Sequence, residues 1–74
     1  MNFYDAVYEI TRSSGMSIED LSLKLKRGPK YIASSKSRGS LPKMDNAAMI
    51  LEALDYKLCI VPADDIPEDA IVID

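Results

Sequence analysis

Gly15, the Gly28–Pro29 pair and the segment from Gly39 to Pro42 cut the first three quarters of the chain into four short pieces, none longer than a helix of three or four turns. Apolar residues recur within these pieces at helical rather than strand spacing. Phe3, Ala6, Val7 and Ile10 stand at i, i+3, i+4 and i+7, which predicts an amphipathic helix over about 2–13, closed by Gly15 in the left-handed conformation. Ser17 with Asp20 three residues on approximates a capping box and opens a second helix, with Ile18, Leu21 and Leu25 on its apolar stripe, as far as about Lys26. Proline suits a first helical position, where its missing N–H would have had no partner, so Pro29 is expected to start a third helix. There Tyr31, Ile32 and Ser35 face inward and Lys30, Ala33, Ser34 and Ser37 face out. Asp45 reads as the N-cap of a fourth helix, with Ala47, Ile50, Leu51 and Leu54 on its core face up to about Asp55.

The last quarter changes character. Lys57–Val61 and Ala70–Ile73 are short β-favouring runs around an acidic loop that holds Pro62, Ile66 and Pro67, predicting a C-terminal β-hairpin. A lone two-stranded hairpin is marginal in water, so it needs either the helices or a second subunit to pack on. Leu58, Ile60, Ile71 and Ile73 are the residues expected to mediate a homodimer. The 74 residues thus read as one compact domain, with a helical part over 1–56 and a hairpin and acidic tail over 57–74. The fold class is mainly α, four helices with a short hairpin.

Charge is strongly segregated. Residues 1–23 carry Asp5, Glu9, Glu19 and Asp20 against Arg12, a balance of −3. From Lys24 to Lys43 stand Lys24, Lys26, Arg27, Lys30, Lys36, Arg38 and Lys43 with no acid, a balance of +7. Residues 44–74 hold eight acids against Lys57, a balance of −7, and the whole chain is left at −3. Taken alone, that net charge argues against a nucleic-acid partner. With a Debye length of about 8 Å at physiological salt, however, a polyanion docked on one face responds mainly to the local patch.

Several function classes lose their footing in the composition. The longest uncharged apolar stretch, Leu58–Ala63, is far below the roughly 20 residues of a membrane span. Asp5 and Glu9 do not suit the start of a secretory signal, so the chain is expected in the cytoplasm. With no histidine and one cysteine, a metal site would have to be built from scattered carboxylates, and none is expected. Cys59, in an apolar run, is expected to be buried and inert. No nucleophile, base or paired carboxylates suggest an enzyme, and no cofactor or small-molecule ligand is implied. Tyr4 and Tyr8, one turn apart, are expected to pack at the edge of the core, with a partner surface as the other reading.

Two short helices joined by three or four residues, the second with basic flanks and a small polar outer surface, make a helix-turn-helix unit over residues 17–38. A helix of this kind can enter the major groove with hydrogen-bonding side chains toward base edges while cations hold phosphates. Lys30, Ala33, Ser34 and Ser37 are the candidate base contacts, and Lys26, Arg27, Lys36, Arg38 and Lys43 the candidate phosphate contacts. Met16-Ser17-Ile18-Glu19-Asp20-Leu21-Ser22-Leu23-Lys24-Leu25 resembles the second-helix segment of the Cro/repressor-like (XRE-type) family of bacterial and phage transcription factors. Tyr31-Ile32 resembles the aromatic-aliphatic pair of its recognition helix, Gly39 and Pro42 its closing turn, and Ile50-Leu51-Glu52-Ala53-Leu54 its following helix.

The resemblance covers roughly residues 3–58. It implies a lambda-repressor-like fold, double-stranded DNA as partner, two-fold dimers and transcription regulation, with half-sites on the order of 34 Å apart. Arg27 stands where the family prefers a buried aliphatic residue, Gly28 where it prefers a serine cap, and Lys36-Ser37 where it usually carries glutamate. The rival reading keeps the scaffold as a protein-binding module, antitoxin-like or a phage accessory protein, because fold alone does not set function. Salt dependence separates the two readings: DNA affinity should fall with a slope of about −4 to −5 per subunit if five of the basic residues engage phosphates.

Overall fold

The computed structural model describes residues 1–73 and contains four helices in chain order: α1 (Phe3–Ser14), α2 (Ile18–Lys24), α3 (Tyr31–Ser37) and α4 (Met44–Ala53). None is long and apolar enough to cross a membrane. The side chain of Asn2 caps α1 by accepting the Asp5 N–H at 2.9 Å, and Gly15, at φ 73°, closes it. Ser17 caps α2 as expected, its Oγ accepting the Asp20 N–H at 2.9 Å.

Three boundaries differ from the sequence reading. Helix α2 stops at Lys24, because the chain turns through Leu25 and places Lys26 at φ 61°. Residues 25–30 therefore separate α2 from α3, a longer connection than three or four residues. Pro29 does not open α3. It sits inside a turn closed by the Tyr31 N–H donating to the Gly28 carbonyl at 3.1 Å, with Lys30 at φ −98°, ψ 7° behind it. Proline is favoured at the second position of such a turn, and this demand outweighs its suitability for a helix start. Likewise Lys43, in extended backbone, is the N-cap of α4, and Asp45 lies in the first turn, where its carboxylate accepts the Asn46 N–H at 2.9 Å and favours the helix dipole.

Each helix contributes one fully buried aliphatic side chain: Val7, Leu21, Ile32 and Ile50. Around them pack Phe3, Tyr4, Ile10, Ala47, Leu51 and Leu54, with Tyr8, Met16, Ile18, Leu25 and Tyr31 at the edge. Phe3 and Tyr4 meet edge-to-face with centroids 5.4 Å apart. All the residues expected on the inner faces of α1 and α4 are in this core.

A buried serine ties α2 to α3. Ser22 Oγ donates to the Ile18 carbonyl at 3.0 Å and accepts the Ile32 N–H at 3.2 Å. The amides of a helix's first turn have no intrahelical acceptor, and no side chain of its own segment caps α3. Ser22 supplies that acceptor from the neighbouring helix. At the far end of α2, Lys24 Nζ donates to the Ala53 carbonyl at 2.7 Å and holds the C-terminus of α4.

The predicted C-terminal hairpin is absent: among the described residues there is no strand, and every residue from 55 to 73 is exposed. Two tight turns stand between the β-favouring runs, with the Asp65 N–H bonded to the Pro62 carbonyl and the Ala70 N–H to the Pro67 carbonyl. The runs are left without a helix surface or a ladder to stabilise them, which a short two-stranded pairing needs. Leu58, Ile60, Ile71 and Ile73 accordingly face solvent, Ile60 almost completely. Cys59 is exposed as well, contrary to the buried thiol expected from its apolar neighbours, because the run that carries it does not join the core.

Candidate nucleic-acid interface

The outward side of α3 forms one wall of an open groove of about 740 Å³. All four candidate base-contact residues, Lys30, Ala33, Ser34 and Ser37, line it together with Pro29 and Arg38. Tyr8 from α1 and Ile18 and Glu19 from the first turn of α2 form the opposite wall. Burial of Ile32 and Ser35 on the other side of α3 presents this set outward: the short helix can bury only one stripe, and that stripe is taken by the core. Tyr8, Ile18, Pro29 and Ala33 supply the apolar part of the lining.

The candidate phosphate contacts are distributed more widely than one face. Arg38 lines the groove and also a second, smaller cavity of about 280 Å³ beyond the C-terminal end of α3, where it meets Lys43, Ser40 and Asn46. Its guanidinium donates to Ser35 Oγ at 3.3 Å. Lys36 turns toward α1: its Nζ lies 3.5 Å from Asp5 Oδ1 and 4.4 Å from the centre of the Tyr8 ring. Arg27 lies over the Tyr31 ring at 5.4 Å, and Lys26 is exposed in the loop before α3. The cationic stretch therefore wraps α3 and both its ends, while Lys24 is drawn off to α4.

Three features in and around the groove were not anticipated from the sequence. Glu19, counted in the sequence only among the acids of residues 1–23, brings a carboxylate into the groove. Its position one residue after Ile18, in the exposed first turn of α2, is the signal that could have placed it there. Asp5 and Tyr8 stand three residues apart on one face of α1, so the pair could be foreseen, but not that α3 would deliver Lys36 to it. Ser40 and Asn46 join Lys43 only because the 39–43 segment folds the start of α4 back beside α3.

Comparison with protein-family models, with curated proteins and with solved structures finds no match for this chain.

Proposed function

We propose that this chain is a cytoplasmic helix-turn-helix DNA-binding protein of the Cro/repressor-like kind, which regulates transcription by laying α3 in the major groove of double-stranded DNA. The observation that carries this reading is the gathering of Lys30, Ala33, Ser34 and Ser37, with Arg38, along one side of an open groove. Small side chains let the helix approach base edges closely, and the hydroxyls of Ser34 and Ser37 can donate to or accept from them. Arg38 and Lys43, which line one cavity at the end of α3 and the start of α4, would hold the phosphate backbone. Lys26 and Arg27 do the same from the loop before α3, and Lys36 once it exchanges Asp5 for phosphate. The exposed aliphatic residues Leu58, Ile60, Ile71 and Ile73 are available to a second copy, and a two-fold dimer would read a pseudo-palindromic operator.

The test is a selection of bound duplexes from random DNA, followed by affinity measurements across salt. A DNA reader loses affinity with a log–log slope of about −0.9 per phosphate contact. The Lys30→Ala, Arg38→Ala, Lys43→Ala triple variant should flatten that slope by about 2 to 3 and leave folding intact. Unchanged DNA affinity in the triple variant would refute the assigned face. A protein-binding module on the same scaffold is the second reading, favoured by the Glu19 carboxylate in the groove. That module would show no DNA salt slope.

A further inference from the structure

The groove is basic along α3 and apolar at Ile18, Pro29 and Ala33, with Glu19 as the acid among its lining residues, and the chain carries an acidic segment with the same taste for apolar surface. Residues 58–73 contain Asp64, Asp65, Glu68 and Asp69 and no lysine or arginine. Between and around these acids stand Ile60, Val61, Ile66, Ile71 and Val72, all exposed. DNA would satisfy the charge of Lys30 and Arg38 but leave Pro29 and the solvent-facing edge of Ile18, whose other side packs on the core, without an apolar partner, whereas an acidic, aliphatic peptide answers both.

Reach is ample. The Lys24–Ala53 hydrogen bond places the origin of the tail beside the C-terminal end of α2, and the groove begins at the other end of that helix. From Lys24 back to Ile18 along α2 is about 9 Å at 1.5 Å per residue. Residues 57–64, extended, span about 26 Å. The acids from Asp64 onward can therefore lie along α3 of their own chain, and a tether this short holds them at an effective concentration of the order of millimolar.

We infer that in the DNA-free monomer the acidic tail, residues 62–73, docks in the groove of its own chain through Lys30 and Arg38 and the apolar lining of Ile18 and Ala33, and there competes with the polyanion. No tail residue lines the groove in the structure, so the docked arrangement is a second state in exchange with this open one. A tail lying in the groove cannot also pair with the tail of a second copy. Dimerisation and DNA binding both draw on the open form, and each favours the other. The competition rests on the proposed DNA-binding reading; the contact itself does not.

The experiment separates the two. Amide spectra of the full chain are recorded without DNA, at about 50 mM and about 500 mM salt and over a range of protein concentrations, for the wild type and for the variant Asp64→Asn, Asp65→Asn, Glu68→Gln, Asp69→Asn. The neutralised residues are exposed, so the core is untouched. The expected result is that amides of Ile18, Ala33, Ser34 and Ser37 shift in the variant, that wild type at high salt moves to the same positions, and that dilution changes neither. Shifts confined to the tail would overturn the inference, and so would groove shifts that vanish on dilution, which would assign the contact to a second copy. In the same samples, a random-sequence duplex should bind the variant about tenfold more tightly than wild type at low salt if the docked form makes up about nine-tenths of the population. Groove shifts with no duplex bound by either protein would refute the DNA reading and leave the tail contact standing.

Discussion

Ser22→Ala tests how α3 is held. The hydroxyl is fully buried and joins two helices, since it donates to the Ile18 carbonyl and accepts the Ile32 amide. Within α2 its loss is mild, because the Ile18 carbonyl also serves the intrahelical ladder. At Ile32 the loss is severe: this amide lies in the first turn of α3, has no acceptor within its own helix, and is enclosed by a side chain with no exposure. Leaving a buried donor unsatisfied costs about 1–3 kcal/mol. For a domain of this size about 1 kcal/mol corresponds to a Tm shift of about 4–8 °C. A central loss of about 2 kcal/mol therefore predicts a fall of about 8–16 °C, measured by thermal unfolding followed by circular dichroism. Native-state hydrogen exchange supplies the local readout, because the Ile32 amide should lose protection out of proportion to those of Val7 and Ile50. A loss below about 0.5 kcal/mol, with Ile32 protection unchanged relative to the rest of the core, would refute the idea that α2 caps α3.

Ile32→Ala should cost about 2–5 kcal/mol in chemical denaturation, since the side chain is fully enclosed by residues from the other helices; a cost near that of a surface change would remove it from the core. Lys26→Gly should stabilise the chain by about 0.5–1 kcal/mol, because Lys26 holds a left-handed backbone at φ 61° that glycine adopts freely. Asp55→Gly should act in the same direction but more weakly, as aspartate tolerates φ 62° better than lysine, and the reverse order in Tm would contradict this account. Lys36→Ala removes the Asp5 ion pair and the contact with Tyr8, both partly in solvent, and should cost less than about 1 kcal/mol; Lys36→Met, which keeps the aliphatic stem over Tyr8, should recover part of that in the same melts.

The candidate site was half visible in the residues. The outward set of α3 follows from which of its positions are apolar: once Ile32 and Ser35 turn in, Ala33, Ser34 and Ser37 must turn out. The grouping of bases was equally plain, since seven of them stand between two acids, Asp20 and Asp45. Their partners were not, because each comes from a distant part of the chain. Asp5 and Tyr8 claim Lys36 from 28 or more residues away in sequence, and Ala53 claims Lys24 through its carbonyl, a group no side-chain pattern announces.

Local chemistry alone determined the number of helices, their order and their inner faces. Gly15 at positive φ, Ser17 at the head of α2 and the spacing of Phe3, Val7 and Ile10 act within a few residues of themselves. Tertiary structure decided the rest: that Pro29 belongs to a turn and not to α3, that Ser22 caps a helix other than its own, that Glu19 shares a groove with Lys30, and that the described residues of the tail form no ladder. A cap or an apolar stripe is written in neighbouring residues, but a strand pair, a buried hydrogen bond between helices and a groove exist only where surfaces meet. The β-favouring runs of the tail join neither the core nor a partner strand among the described residues, and propensity without such a surface does not make a strand.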